Sequence, residues 1–158
     1  MSDHLSSPRI FVPPPLIFVA GWIVAWLLSS RQIFEIDAAG ASLLQVALGL
    51  ILGAGGLLFM VWGGATFIRA RTPVVPVRPA RVVVTDGPFR FTRNPMYLGF
   101  TSAYLGLALL LNQAWPIVVL PLVLVVLRRF VIRREEAHLR AKFGEEYERY
   151  CRSVRRWL

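Results

Sequence analysis

Four apolar blocks dominate the sequence and restrict what the chain can fold into. They run from about Leu16 to Ser30, Leu43 to Ile68, Pro95 to Leu111 and Trp115 to Ile132. A helix needs about 20 apolar residues to cross a bilayer, with a tolerated range of about 17–25. The second and fourth blocks fit this range, and the first and third are short for it. Because backbone groups in lipid must pair within the chain, we predict an all-α membrane protein with about four transmembrane helices.

The composition favours a lipid environment over a soluble core. Hydrophobic residues make up 56% of the 158 residues and charged residues only 17%, which is more apolar and less charged than a soluble domain. On a soluble protein, the formal net charge of +9 would suggest a nucleic-acid partner. Here the charges lie at the ends of the apolar blocks, so we predict contact with membrane lipids and no nucleic acid.

Residues able to bind metals or form disulfides are scarce. Cys151 is the only cysteine of the sequence, and His4 and His138 are the only histidines. An intrachain disulfide is therefore excluded, and we predict no metal site. His138 is interpreted as a surface helix residue. The first ten residues, MSDHLSSPRI, lack the pattern of a signal peptide, so we expect the first apolar block to be retained.

The basic residues predict an orientation in the membrane. All but one of the 18 Lys and Arg residues lie in the N-terminus, in the 69–94 segment or in the C-terminal region, and Arg31 is the exception. With four spans these three regions share one side, which the positive-inside bias makes cytoplasmic. We therefore predict a multi-pass protein with both termini and any site near them on the cytoplasmic side.

The chain after the fourth block is charged and lacks a helix breaker until Gly144. Phe143, Tyr147 and Tyr150 follow the i, i+4, i+7 spacing of one helical face. We predict that the fourth helix leaves the bilayer and continues as one or two cytoplasmic amphipathic helices.

The segment Gly87–Gly99, which reads GPFRFTRNPMYLG, is a first candidate site. Asn94 and Pro95 predict a helix start, with Asn as the cap and Pro at the first helical position. The free N–H groups and dipole of such a helix start favour an anion, such as a cofactor carboxylate. Arg93 offers a bidentate contact, and Gly99 allows close approach of a ring or a helix. A plain capped transmembrane helix explains the same residues.

Glu135 and Glu136, at the end of the fourth block, form a second candidate site. Carboxylates near a membrane boundary are costly unless they are paired or functional. The neighbouring arginines explain them by ion pairing alone. Alternatively, they hold an ammonium group or ribose hydroxyls, or orient an attacking group.

A glycine-rich stretch, Gly53–Gly56, lies in the second block. It resembles part of a dinucleotide-binding loop, but it is mid-membrane and follows no strand. With Gly49 it has the GxxxG spacing that indicates close helix packing, which is our interpretation.

Together, the two candidate segments resemble the isoprenylcysteine carboxyl methyltransferase family. The first is similar to the family motif G-x-[YF]-x-x-x-R-H-P-x-Y-x-G. The second is similar to the family tail E-E-x-x-L-x-x-x-F-G-x-x-Y-x-x-Y, and Asn112 matches a family asparagine at the tip of the intervening hairpin. The resemblance covers about Gly87 to Val154, and bacterial phospholipid methyltransferases share parts of it.

This resemblance implies an S-adenosylmethionine-dependent methyltransferase that releases S-adenosylhomocysteine and takes a lipophilic acceptor from the bilayer. It implies one membrane domain over 1–158, with N-terminal spans and a basic loop in 1–86 and a methyltransferase-like half in 87–158. Glu135, Arg93 and Arg133 are the catalytic candidates, with Arg129 in a similar position. The implied cofactor-binding residues are Arg93, Asn94, Pro95, Tyr97, Gly99, Glu135 and Glu136.

Asn94 departs from the family pattern, which has histidine there. Asparagine donates and accepts hydrogen bonds but cannot act as a base. Two other functions therefore stay open: a catalytically inactive membrane scaffold of the same fold, and a small membrane reductase. The acceptor also stays open among a prenylcysteine-like carboxylate, a lipid and a small thiol or phenol.

Overall fold

The computed structural model describes residues 12–31, 34–73 and 80–158. The predictions for His4 and for the N-terminal end lie outside these residues. A 3-10 turn spans Gly87–Arg90, and a π-helical turn spans Arg128–Ile132. The all-α prediction is confirmed, since the described residues form no strand. The helices are α1 Pro14–Ser29, α2 Leu43–Arg69, α3 Pro95–Leu110, α4 Ala114–Leu127, α5 Arg133–Phe143 and α6 Glu145–Ser153.

Proline and serine set the starts of the apolar helices. Pro14 and Pro95 occupy the first positions of α1 and α3, where the missing N–H removes no intrahelical bond. The Ser42 hydroxyl accepts from the Gln45 backbone N–H at 3.2 Å and caps α2. Each helix therefore begins within about two residues of its predicted block.

Two helices are long and apolar enough to cross a membrane, namely α2 and the continuous helix Ala114–Phe143. The other two apolar helices, α1 and α3, have 16 residues each. Large apolar side chains of α2 face outward, with Leu43 87%, Leu58 70% and Ile51 67% exposed. Such an apolar outer surface is typical of contact with lipid. The count of four spans stays a prediction.

Glycines let α2 and α3 approach at backbone distance. A Cβ atom added to Gly56 would lie 2.6 Å from the carbonyl oxygen of Gly99, and one added to Gly99 would lie 2.6 Å from that of Gly56. Gly49 makes a similar contact with Gly106 one helical repeat away. The packing interpretation of the glycine-rich stretch is confirmed, because small residues are what permit such close helix contact in membranes.

A buried aromatic and aliphatic cluster joins α1, α3 and α4. Phe18 of α1 stacks on Phe100 of α3, with ring centroids 5.4 Å apart. Val123 and Leu127 of α4 complete this cluster and are 4% and 0% exposed. The cluster fixes the end of α4 against the start of α3, and that end carries both candidate segments.

Asn112 holds the opposite end of the bundle together. It adopts φ +54°, a conformation that asparagine tolerates better than most residues. Its Oδ1 accepts from the Asp37 N–H at 3.0 Å and from Gln45 Nε2 at 2.9 Å, and its Nδ2 donates to the Asp37 carbonyl at 2.8 Å. The α3–α4 hairpin is thus tied to the α1–α2 connection.

Substituting Gly56 by alanine is expected to destabilise the protein by about 1–3 kcal/mol, because the added methyl group collides with the backbone of α3. Gly55→Ala is the matched control, since a Cβ atom at Gly55 meets nothing within 4 Å. Unfolding in detergent micelles measures both variants. Equal stabilities for the two would contradict the glycine-mediated contact.

Candidate active site

A cavity of about 440 Å³ opens where α1 begins, α3 begins and α5 and α6 fold back. Its volume falls in the range of small-molecule sites, about 300–1,000 Å³. Most of its wall is apolar and comes from several parts of the chain. These apolar residues are Pro13, Pro14, Pro15, Phe67, Pro73, Ala80, Val82, Val83, Val84, Phe89, Pro95, Met96, Phe100 and Leu139.

The start of α3 lies against the C-terminal end of the chain. Asn94 holds the cap position and Pro95 the first helical position, as predicted. The prediction that the Asn94 side chain caps α3 is wrong, because it makes no capping hydrogen bond. Its Nδ2 instead donates to the Arg156 carbonyl at 2.9 Å. The first N–H groups of α3 therefore gain no partner from the Asn94 side chain.

Arg93 points into the interior beside α6. Its Nη1 donates to Cys151 Sγ at 2.8 Å and lies 3.5 Å from Glu136 Oε1. Its Nε is buried and has no hydrogen-bond partner within the described part of the chain. A buried N–H without a partner is costly, so this atom is a natural donor for a bound acceptor group.

Glu135 and Tyr97 form a close pair across the cavity. The Tyr97 hydroxyl donates to Glu135 Oε1 at 2.6 Å. Glu135 lies three residues beyond Ile132, where the fourth apolar block ends, so it is outside the predicted span. Burial raises the pKa of Glu135 to about 7, the Tyr97 hydrogen bond opposes this rise, and the charge of Glu136 adds to it. Glu135 thus changes charge near neutral pH.

Glu136 has a different environment from its neighbour. Its side chain is 5% exposed and is surrounded by arginines. Arg156 donates to both carboxylate oxygens at 2.7 Å, and Arg140 lies at 3.7 Å. A buried carboxylate needs such partners to offset its lost hydration.

The π-helical turn positions both acids. It follows directly after α4, and Arg128 and Arg129 within it are exposed. A π turn holds one more residue than an α turn, which shifts the face presented by all later residues. Without that shift, Glu135 and Glu136 would lie on another side of the helix.

The structure brings most of the predicted site residues to one place. Those that line the cavity are Arg93, Asn94, Pro95, Tyr97, Glu135 and Glu136. Gly99 is not among the lining residues and packs against α2 instead. Arg133, predicted to be catalytic, is exposed and does not line the cavity, and the same holds for Arg129. Arg129 belongs to the π-helical turn and Arg133 is the first residue of α5.

Some cavity residues were missed by sequence reasoning. His138 lines the cavity and its Nε2 is buried, so its interpretation as a surface residue is wrong. Burial lowers the pKa of His138, and the Lys142 charge lowers it further. Tyr147 and Tyr150 were expected to share a helical face, and they line the cavity from α6. Cys151 contacts Arg93 from the same helix.

Comparison with known proteins identifies the family. The sequence profile of the phospholipid methyltransferase family matches residues 44–146, more than half of the chain. The chain belongs to the phospholipid methyltransferase family. The match begins inside α2, ahead of the 87–158 half that carries the motifs.

Two relatives of this family member extend the comparison. A protein-S-isoprenylcysteine O-methyltransferase of Schizosaccharomyces pombe is 37% identical over 73 residues, which are 46% of this chain and 31% of that protein. An uncharacterised protein of Haemophilus influenzae is 40% identical over 63 residues, which are 40% of this chain and all of that protein. No solved structure matches. The resemblance to isoprenylcysteine methyltransferases is confirmed, and the findings support a membrane methyltransferase.

The Glu135–Tyr97 pair is expected to be energetically coupled. Tyr97→Phe and Glu135→Ala should each change the free energy of unfolding, and the double variant should differ from their sum by about 1–3 kcal/mol because each removes one partner of the same hydrogen bond. Chemical unfolding of the four proteins in one detergent measures the coupling. Additive effects would show that the pair does not form in solution.

Proposed function

We propose that this protein is an S-adenosylmethionine-dependent methyltransferase that acts on a lipophilic acceptor at the cytoplasmic face of a membrane. The observation that carries the proposal is the convergence of Arg93 and Tyr97 at the start of α3 with Glu135 of α5 on one cavity. These residues belong to the two motifs on which the family resemblance rests. Family membership supplies the reaction class.

The residues of the cavity fit S-adenosylmethionine. Arg93 Nε, which is buried and has no partner among the described residues, and the free N–H groups that begin α3 suit the cofactor carboxylate. Glu135 suits the ammonium group or the ribose hydroxyls. The apolar walls near Phe89 and Leu139 suit an adenine ring. Each polar part of the cofactor thus has a candidate partner in this chain.

The apolar lining of the cavity favours a lipophilic acceptor. Pro13–Pro15 at the start of α1 and Val82–Val84 contribute to this lining. The family and the yeast relative also point to lipophilic acceptors, by the names phospholipid methyltransferase and isoprenylcysteine O-methyltransferase. A prenylcysteine-like carboxylate, a lipid and a small thiol or phenol are the candidate acceptors.

The proposed chemistry requires positioning more than it requires a protein base. S-adenosylmethionine supplies an activated methyl group on a sulfonium, which the acceptor attacks in line. The chain aligns donor and acceptor and keeps water out, which supplies most of the rate. An acceptor that is already an anion needs no proton removed, so asparagine at position 94 is compatible with transfer.

The orientation of the protein belongs to the same proposal. The cavity lies at the end of the bundle where α2 ends at Arg69, α3 begins beside Arg93 and α5 begins at Arg133. The opposite end carries the acids Glu35 and Asp37. By the positive-inside bias we place the cavity end in the cytoplasm, where a soluble cofactor reaches it.

Glu135→Gln should weaken binding of S-adenosylmethionine roughly tenfold or more, because a charged hydrogen-bond acceptor becomes neutral. Isothermal titration of purified protein in lipid nanodiscs measures the affinity. Glu145→Gln is the matched control, because Glu145 is exposed on α6 and does not line the cavity. Equal affinities for Glu135→Gln and wild type would remove Glu135 from the cofactor site.

The affinity should also depend on pH in a defined direction. Since the pKa of Glu135 is about 7, the carboxyl is mostly protonated below that value and ionised above it. Affinity in the wild type should therefore rise between about pH 6 and about pH 8, and Glu135→Gln should lack this component. If the affinity of Glu135→Gln rose with pH as much as that of the wild type, the titrating group would not be Glu135.

Methyl transfer should be detectable with membrane lipid extracts and with prenylcysteine-like carboxylates as acceptors. A labelled methyl group identifies the product by mass spectrometry. Binding of the cofactor with no transfer to any extract would favour the inactive scaffold. Binding of a reduced nicotinamide dinucleotide in place of S-adenosylmethionine would favour the reductase.

A further inference from the structure

The residues that follow α6 cross the start of α3. The Arg93 N–H donates to the Arg155 carbonyl at 3.0 Å. The Arg156 carbonyl accepts from Asn94 Nδ2 at 2.9 Å and from the Thr92 hydroxyl at 3.1 Å. Thr92 and Asn94 are 0% and 8% exposed. Three hydrogen bonds therefore join residues 92–94 to residues 155–156, across some sixty positions of sequence.

The Arg156 side chain turns from this contact to Glu136. Its Nε and Nη2 donate to Oε1 and Oε2 at 2.7 Å each. The other two arginines near Glu136 are farther away, with Arg93 at 3.5 Å and Arg140 at 3.7 Å. Arg140 also has a second partner, Glu148, at 2.8 Å. The paired, planar contact makes Arg156 the group that fixes the orientation of the Glu136 carboxylate.

Trp157 anchors the same segment on the helical bundle. Its half-buried ring packs against the core cluster of α1, α3 and α4. The segment Arg155–Trp157, which we name the C-terminal clasp, is thus held by backbone bonds, an ion pair and apolar packing.

We propose that the C-terminal clasp helps to form the cofactor site. In this proposal Arg156 is the positioning residue, which orients the Glu136 carboxylate and holds the start of α3. The proposal rests on the proposed function, since it assigns this role within the same cavity. It also explains Asn94. The amide at that position is a donor to the clasp, and its task is to hold Arg156 rather than to remove a proton.

The proposal predicts how the cofactor affinity responds at Arg156. Arg156→Gln should weaken binding of S-adenosylmethionine roughly tenfold or more, because Glu136 loses its paired donor and reorients. Arg156→Lys keeps the charge but not the planar fork, and should recover only part of the loss. Arg152→Gln is the matched control, because Arg152 is exposed on α6, and should bind as the wild type does.

A double variant separates positioning from general stabilisation. If Arg156 acts through Glu136, then Arg156→Gln combined with Glu136→Gln should bind the cofactor no more weakly than Glu136→Gln alone. Fully additive losses would overturn the positioning role. So would an affinity for Arg156→Gln equal to that of Arg152→Gln. If Arg156→Gln does not fold, the comparison of Arg156→Lys with Arg152→Lys decides in the same way.

Hydrogen exchange tests the clasp without any cofactor. In the full chain the Arg93 amide should be protected by the Arg155 carbonyl, and a chain ending at Val154 should lose this protection while the middle of α3 keeps its own. Unprotected Arg93 in the full chain would overturn the clasp. Protection at Arg93 together with no binding of S-adenosylmethionine by the wild type would instead overturn the proposed function and leave the clasp in place.

Discussion

The burial of a carboxylate at the edge of an apolar bundle governs how this end of the molecule is built. Glu136 is 4% exposed, and an isolated charge at that depth is strongly unfavourable. The chain satisfies it with arginines from three places: Arg93 before α3, Arg140 on α5 and Arg156 after α6. One residue therefore requires that distant segments meet, and the cavity is the space that they enclose.

The rest of the fold holds these distant segments in fixed positions. Glycines hold α2 against α3 at backbone distance, and Asn112 ties both helical connections together at the far end. Because a packed helix transmits position along its axis, fixing α3 at Asn112 and along α2 also fixes where Tyr97 lies. The polar pairs of the site then form between elements that are already constrained.

The features of this fold that could be predicted from the sequence are those that depend on local sequence pattern. Apolar block length gave the helix limits, and the order of Asn94 and Pro95 gave the start of α3. The partner of Asn94 could not be found in this way, because a carbonyl of residue 156 carries no sequence signal. The π turn was equally hidden, since Arg128–Ile132 looks helical in sequence, yet it sets which side of α5 faces the cavity. His138 was misjudged for the same reason, because its side of the helix depends on that turn.

The two adjacent acids show how one short segment supports two tasks. Glu136 is saturated by arginines and is not free to exchange them for a ligand without leaving those charges unpaired. Among the described residues, the hydrogen-bond partner of Glu135 is the neutral Tyr97 hydroxyl, at 2.6 Å, and burial raises its pKa to about 7, with the charge of Glu136 adding to the rise. A cationic or hydroxyl-bearing ligand stabilises the ionised carboxylate of Glu135, whereas an apolar ligand does not. The two environments thus differ, although the sequence gives the two residues identical side chains: Glu136 is paired with arginines, whereas Glu135 is the acid that the proposed function assigns to the ligand.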